Sequence, residues 1–201
     1  MFQRIALIAA AVGVIALGSG ATFALFQANT QAQSTFTAGT LSFSSVRDNG
    51  DTVPGPMFYV STSDPAANSG DYPTGLWAPG DSHTRLLNVT NTGSLAGWIS
   101  SVQASQITSS NLKDQLTVEV LAPEPQNPTI YEAVANAPLD DFLAGPVPLL
   151  FPDGSQVAIA QGASVDLQFR VTLNQAAGNA YQGKTEVVTF TVNGVQQRNN
   201  P

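Results

Sequence analysis

An all-β fold, an antiparallel sandwich or barrel with long irregular loop insertions, is the class this sequence predicts. Three observations lead there. Short stretches beyond residue 34 alternate apolar and polar side chains with a period of two. Clusters of Gly, Pro, Asn and Asp separate these stretches. Beyond the first 25 residues, no stretch of ordinary helix length carries a 3.6-residue period.

Residues 1–25 read as an export signal. Arg4 supplies the positive start, and Ile5 to Leu17 is an uncharged apolar run of 13 residues. Gly18, Ser19 and Gly20 break the run, and the small residues around Ala24 mark cleavage after Ala24 or Leu25 by a signal peptidase. The competing reading is an uncleaved anchor, because Ile5 to Phe26 is 22 residues without a charge, enough to span a bilayer of about 30 Å.

Residues 26–45 form an N-terminal strand segment and residues 46–201 the sandwich domain. Ser34 to Val46 carries the strand formers Thr35, Thr37, Leu41 and Phe43, interrupted by Gly39. Asp48 to Trp77 is turn-rich. His83 to Asn91 and Leu95 to Val102 are β-prone. Gln115 to Leu121 sets Leu116, Val118 and Val120 on one face. Val165 to Leu173 alternates most cleanly, with Val165, Leu167, Phe169, Val171 and Leu173 on its apolar side. Lys184 to Asn193 closes the domain, with Val188, Phe190 and Val192 together. Between Leu121 and Gln156, seven prolines leave little room for a strand, and Leu139 to Leu143 suits one helical turn. About 175 residues after the signal can bury a two-sheet core without disulfides.

Composition removes several classes of chemistry. Seven Lys and Arg against 14 Asp and Glu, a net charge of −7, leave no basic stripe for nucleic acid. The absence of Cys removes thiolate sites and disulfides. His83 is the single imidazole, so neither a two-His zinc site nor HExxH can form. Polarity resides instead in 18 Thr, 17 Ser, 15 Gln and 13 Asn. Such surfaces place few charges against edge-to-edge strand pairing.

Each remaining motif has a structural reading beside a functional one. Pro79-Gly80-Asp81 reads as a type II turn with Asp81 accepting backbone N–H groups, in preference to a ligand site. Asn91-Thr92-Gly93 and Asp153-Gly154-Ser155 read as turns. Asp48, Asp51, Asp64 and Asp71 are the candidate calcium ligands, in loops without EF-hand spacing. Asn88-Val89-Thr90 is a glycosylation sequon set in an expected strand. Trp77, Trp98, Phe142 and Phe151 read as core or sandwich-edge packing.

Three stretches, in order, resemble the TasA/camelysin family of secreted proteins, whose members often carry a peptidase or spore-coat label. They are Gly20 to Phe26 followed by Ser34 to Phe43, then Trp77 to Ile99 with its PGD and NTGSL elements, and Asn179 to Gln196 with YQG before the last strand. The resemblance implies a jelly-roll sandwich that assembles into extracellular fibres of a biofilm matrix. It also implies that the segment freed by signal cleavage adds as a strand to a neighbouring subunit. Mapped here, the donor runs from about Phe26 to Leu41 and includes Thr35, Phe36 and Thr37. It holds no charge and no Pro, which suits it to an exposed sheet edge. Folding back as the domain's own first strand is the alternative. The lysine-rich character of bacillary members is missing.

The expected protein is therefore a secreted structural subunit of the extracellular matrix or cell surface. It partners with itself, with a signal peptidase and with an accessory matrix or anchoring protein, and needs no cofactor. The rivals are a camelysin-like metallopeptidase and a monomeric calcium-dependent adhesion module.

Overall fold

A computed structural model describes residues 39–47, 57–58, 76–108 and 110–197. The chain divides into two units, Met1–Ala38 and Gly39–Pro201, and every described residue belongs to the second. The expected signal, the cleavage residues Ala24 and Leu25, and Phe26, Thr35, Phe36 and Thr37 of the donor lie outside the described residues. So do the calcium candidates Asp48, Asp51, Asp64 and Asp71.

The described chain forms two antiparallel sheets facing one another. Strands β1 (Phe43–Arg47), β2 (Ser82–Asn91), β8 (Ser164–Leu173), β4 (Leu116–Pro123) and β5 (Tyr131–Pro138) lie side by side in that order. In the second sheet β3 (Gly97–Thr108) is central. It pairs with β9 (Val187–Gln196) on one side, and on the other with the short β6 (Val147–Pro148) and β7 (Val157–Ile159). The chain changes sheet between β2 and β3, β3 and β4, β5 and β6, β7 and β8, and β8 and β9.

Alternation sets the core. Leu167, Phe169, Val171 and Leu173 of β8 point inward, as do Leu87 and Val89 of β2 and Val118 and Val120 of β4. In β3 the buried positions are Ile99, Val102 and Ala104, a spacing that strict alternation forbids. A bulge between Ile99 and Ser101 absorbs the extra residue, so that both halves of the strand keep their apolar side chains inward. The six-residue helix α1 (Leu139–Ala144) buries Leu139 and Phe142. The Phe142 ring meets Phe190 of β9 edge-on at 6.4 Å, and Phe190 lies 5.1 Å from Phe169 of the facing sheet.

The expected strands at β2, β4 and β8 are present, and the helical turn is α1. The stretch from Leu121 to Gln156 departs from expectation, because it holds β5, β6 and β7. Three of its prolines stand at strand ends, Pro123 closing β4, Pro138 closing β5 and Pro148 closing β6, and the other four lie in connections. Tyr131 to Ala137 is free of proline and pairs with β4 along its length, with a bulge at Val134, and a paired stretch is where proline would have been excluded. Strand β3 runs six residues past Val102 because β9 pairs with it along that length. The last strand begins at Val187, three residues later than expected, after a 3-10 turn at Asn179–Tyr181.

On the outer face of the five-stranded sheet, neutral hydroxyl pairs stand beside two contacts that use a charged group. The Ser82 and Thr172 hydroxyls pair at 2.9 Å, and those of Thr90 and Ser164 at 2.7 Å. Asn88 Nδ2 donates to Asp166 at 2.6 Å. Arg170 and Glu119 form one ion pair across β8 and β4.

Asn91 is the one fully buried polar residue among those described. Its Nδ2 donates to the carbonyls of Leu95 at 2.8 Å and Ala160 at 3.2 Å, and Gly93 N–H donates to its Oδ1 at 3.0 Å. Its backbone N–H donates to Ala163, and its carbonyl accepts from Gly162. Truncating this amide strands buried carbonyls and an N–H, so Asn91→Ala is expected to destabilise the domain by about 3 kcal/mol. Asn127→Ala, in an exposed turn where Asn127 serves only Thr129, is expected to cost less than about 1 kcal/mol. Urea unfolding of the two variants gives the comparison.

Candidate functional site

The sandwich closes along one side and stays open along the other. On the closed side Leu149 N–H donates to Ser100 of β3, and Leu150 N–H donates to Val134 of β5. These two neighbouring bonds join the sheets and cover part of the β5 edge. On the opposite side β1 and β9 are the outermost strands, and among the described residues no strand pairs with the outer side of either.

The segment leading into β1 is held against the domain. Ser94 N–H donates to Thr40 and Thr92 N–H to Ser42, each at 2.8 Å, and Thr40 N–H reaches the Ser94 hydroxyl at 2.9 Å. Phe43 to Arg47 then pairs with Asn91 to Leu87. Glycine makes this approach feasible. A Cβ on Gly93 would meet the backbone of Thr40, Leu41 and Ser42, and one on Gly194 would meet the Phe43 ring. Leu41 rests beside Gly97. Gly39 to Ser45, which the sequence assigns to the N-terminal strand segment, thus forms part of the Gly39–Pro201 unit, and of the donor residues Leu41 packs on its own domain.

Strand β9 is the longer of the two edges left without an outer strand among the described residues. Its ten residues, VVTFTVNGVQ, hold no charge and no proline. The neighbouring Glu186 is tied to Gln106 and Ser110 instead of guarding the edge. The inward residues Val188, Phe190 and Val192 pack on the core yet are only half-buried, whereas those of β8 are buried. With no outer strand among the described residues, the flanks of these side chains are less covered. Thr189 and Thr191 stand exposed on the other face, and Val195 is 47% exposed.

The turn motifs behave as turns. Asp81 N–H donates to Ala78 at 2.9 Å with Gly80 at φ 92°, and Ala78 N–H donates to the Asp81 carboxylate at 2.6 Å. Asp153 accepts from Ser155 N–H, and Ser155 holds its carboxyl below the usual range. Asn88 sits in mid-strand, bonded to Asp166. The His83 ring lies 4.6 Å from Trp77, and its Nε2 is buried without a hydrogen-bond partner. No cluster of three or more His, Asp or Glu gathers around it or elsewhere among the described residues. Phe142 and Phe151 are core residues, and Trp77 packs against the core.

A concavity of about 430 Å³ opens where β4 leaves β8, lined by Pro123, Glu124, Tyr131, Phe151 and Asp166. Burial, with the Asp166 charge adding, raises the Tyr131 phenol pKa.

No protein-family model matches the chain, and no curated protein does. The free edge was not singled out by the sequence reading, although its signal is there: a final strand without charge or proline. The burial of Asn91 has no comparable signal, because N-T-G is a turn sequence whether its asparagine is wet or dry.

Gly93→Ala is expected to loosen Gly39 to Arg47, lowering stability by about 1–3 kcal/mol and speeding tryptic cleavage after Arg47. Gly178→Ala, which meets nothing within 4 Å, should leave both unchanged. Timed proteolysis with urea unfolding checks this.

Proposed function

We propose that the protein is a secreted, non-enzymatic structural subunit that polymerises by donor-strand exchange into extracellular biofilm-matrix or surface fibres. The observation that carries the reading is a β-sandwich with an open side among the described residues, in a chain whose segment after the signal lacks charge and proline. Ordinary soluble sandwiches protect such edges with Lys, Pro or bulges. A β edge recognises an added strand through main-chain bonds, and alternate side chains supply the fit. The resemblance to TasA/camelysin proteins, and the jelly-roll form it implies, agree with this function. Signal peptidase cleavage frees the segment, and an accessory matrix or anchoring protein fixes the fibre to the cell surface.

Electron microscopy of Leu25–Pro201 beside a version lacking roughly its first 15 residues tests strand addition. The longer protein is expected to form fibres and the shorter to remain monomeric. Equal fibre formation by both would remove the mechanism, and no fibres from either across salt, pH and seeding conditions would remove the function.

A further inference from the structure

Strand addition leaves open which edge receives the strand and which face of the strand turns inward. Four edges compete, and the one formed by β6 and β7 is made of strands of only two and three residues. The β5 edge is partly covered, because Leu150 N–H already occupies the Val134 carbonyl. The β1 edge is five residues long. The β9 edge is ten residues long, uncharged, and backed by three inward apolar side chains that lack full cover. An added strand beside β9 would bury the open flanks of Val188, Phe190 and Val192 while pairing the free backbone groups.

The segment before Gly39 has the pattern such a position requires. Read at period two, Phe26, Ala28, Thr30, Ala32, Ser34, Phe36 and Ala38 share one face, and Gln27, Asn29, Gln31, Gln33, Thr35 and Thr37 share the other. The first face is small or aromatic and the second wholly polar. Thirteen residues at about 3.3 Å each exceed the length of β9. Small side chains suit the inward position, because the Phe43 ring already fills the space over Gly194. The polar face would continue the exposed row of Thr189 and Thr191, where amide and hydroxyl pairs across strands are favourable.

We infer that the outer edge of β9 is the acceptor, and that Phe26–Ala38 of a second copy occupies it with the Phe26, Ala32 and Phe36 face against the core. This rests on the polymer reading above and adds its edge and its face. The segment comes from a second copy because the first stretch the domain holds, Gly39 to Phe43, runs toward the β9 end where Gly194 and Val195 lie. Pairing with its own β9 would demand a reversal directly before Gly39.

The chain has no cysteine, so disulfide trapping has no background. Single variants Gln31→Cys, Gln33→Cys and Thr35→Cys on the segment would each be mixed with Thr189→Cys or Thr191→Cys on Leu25–Pro201. Asn136→Cys, exposed on β5, serves as the control edge, and fibres are imaged in parallel. Facing strand positions bring Cα atoms within disulfide range. At least one segment variant is expected to give a linked heterodimer with β9, several-fold more abundant than with Asn136→Cys. Fibres with links to Asn136, or with no links to β9 from any segment position, would overturn the edge while leaving the polymer reading intact. Self-linking of Thr191→Cys alone would replace the donor with a symmetric β9–β9 pair. A link forming only within one doubly substituted chain would place the segment on its own domain. Absence of fibres together with absence of links would overturn both readings.

Discussion

The two sheets are joined at one end through a single buried side-chain amide. Asn91 ends β2, yet its side chain reaches the start of β3 through Leu95 and the β7–β8 connection through Ala160, while its backbone bonds Gly162 and Ala163. Hydrophobic packing between sheets is non-directional and would tolerate sliding. Directional bonds in a dry site do not, because each one broken there leaves a polar group without water. The position of β3 over β2 follows from this amide, and so does the position of everything paired with β3.

From that anchor the open side follows. The Asn91 turn brings Gly93 under Thr40 to Ser42, which fixes where β1 enters. The pairing of β3 with β9 then sets Gly194 beneath the Phe43 ring. Leu149 and Leu150 tie the far side, and the flanks of the inward β9 residues are left for another strand. Closure on one side and exposure on the other arise from the same connections.

Much of this was legible in the sequence, and the limits are physical. Strands β2, β4 and β8 read clearly because each buries one face and wets the other, so their period survives in the residue types. Strand β5 did not, because Tyr-Glu-Ala-Val-Ala-Asn-Ala carries small residues on both faces and is surrounded by prolines that lie at strand ends or in connections. The second half of β3, Gln103 to Thr108, is largely polar and is a strand by virtue of its neighbour β9. Chemistry at a site was legible mainly by exclusion, from one histidine and no cysteine. An edge is a property of strand order, and order becomes visible only when the pairing is known.

The hydroxyl and amide pairs on the outer face of the five-stranded sheet have a consequence for the environment in which the domain can work. Ser82 with Thr172 and Thr90 with Ser164 neither titrate near neutrality nor attract counter-ions. A face held by ion pairs loosens as salt rises, since exposed charges are screened over roughly 8 Å at physiological ionic strength. Here Glu119–Arg170 is a cross-strand contact of that kind, and Asp166, bonded by Asn88, brings a second carboxylate to the face. The two hydroxyl pairs therefore hold at salt concentrations that weaken an exposed ion pair.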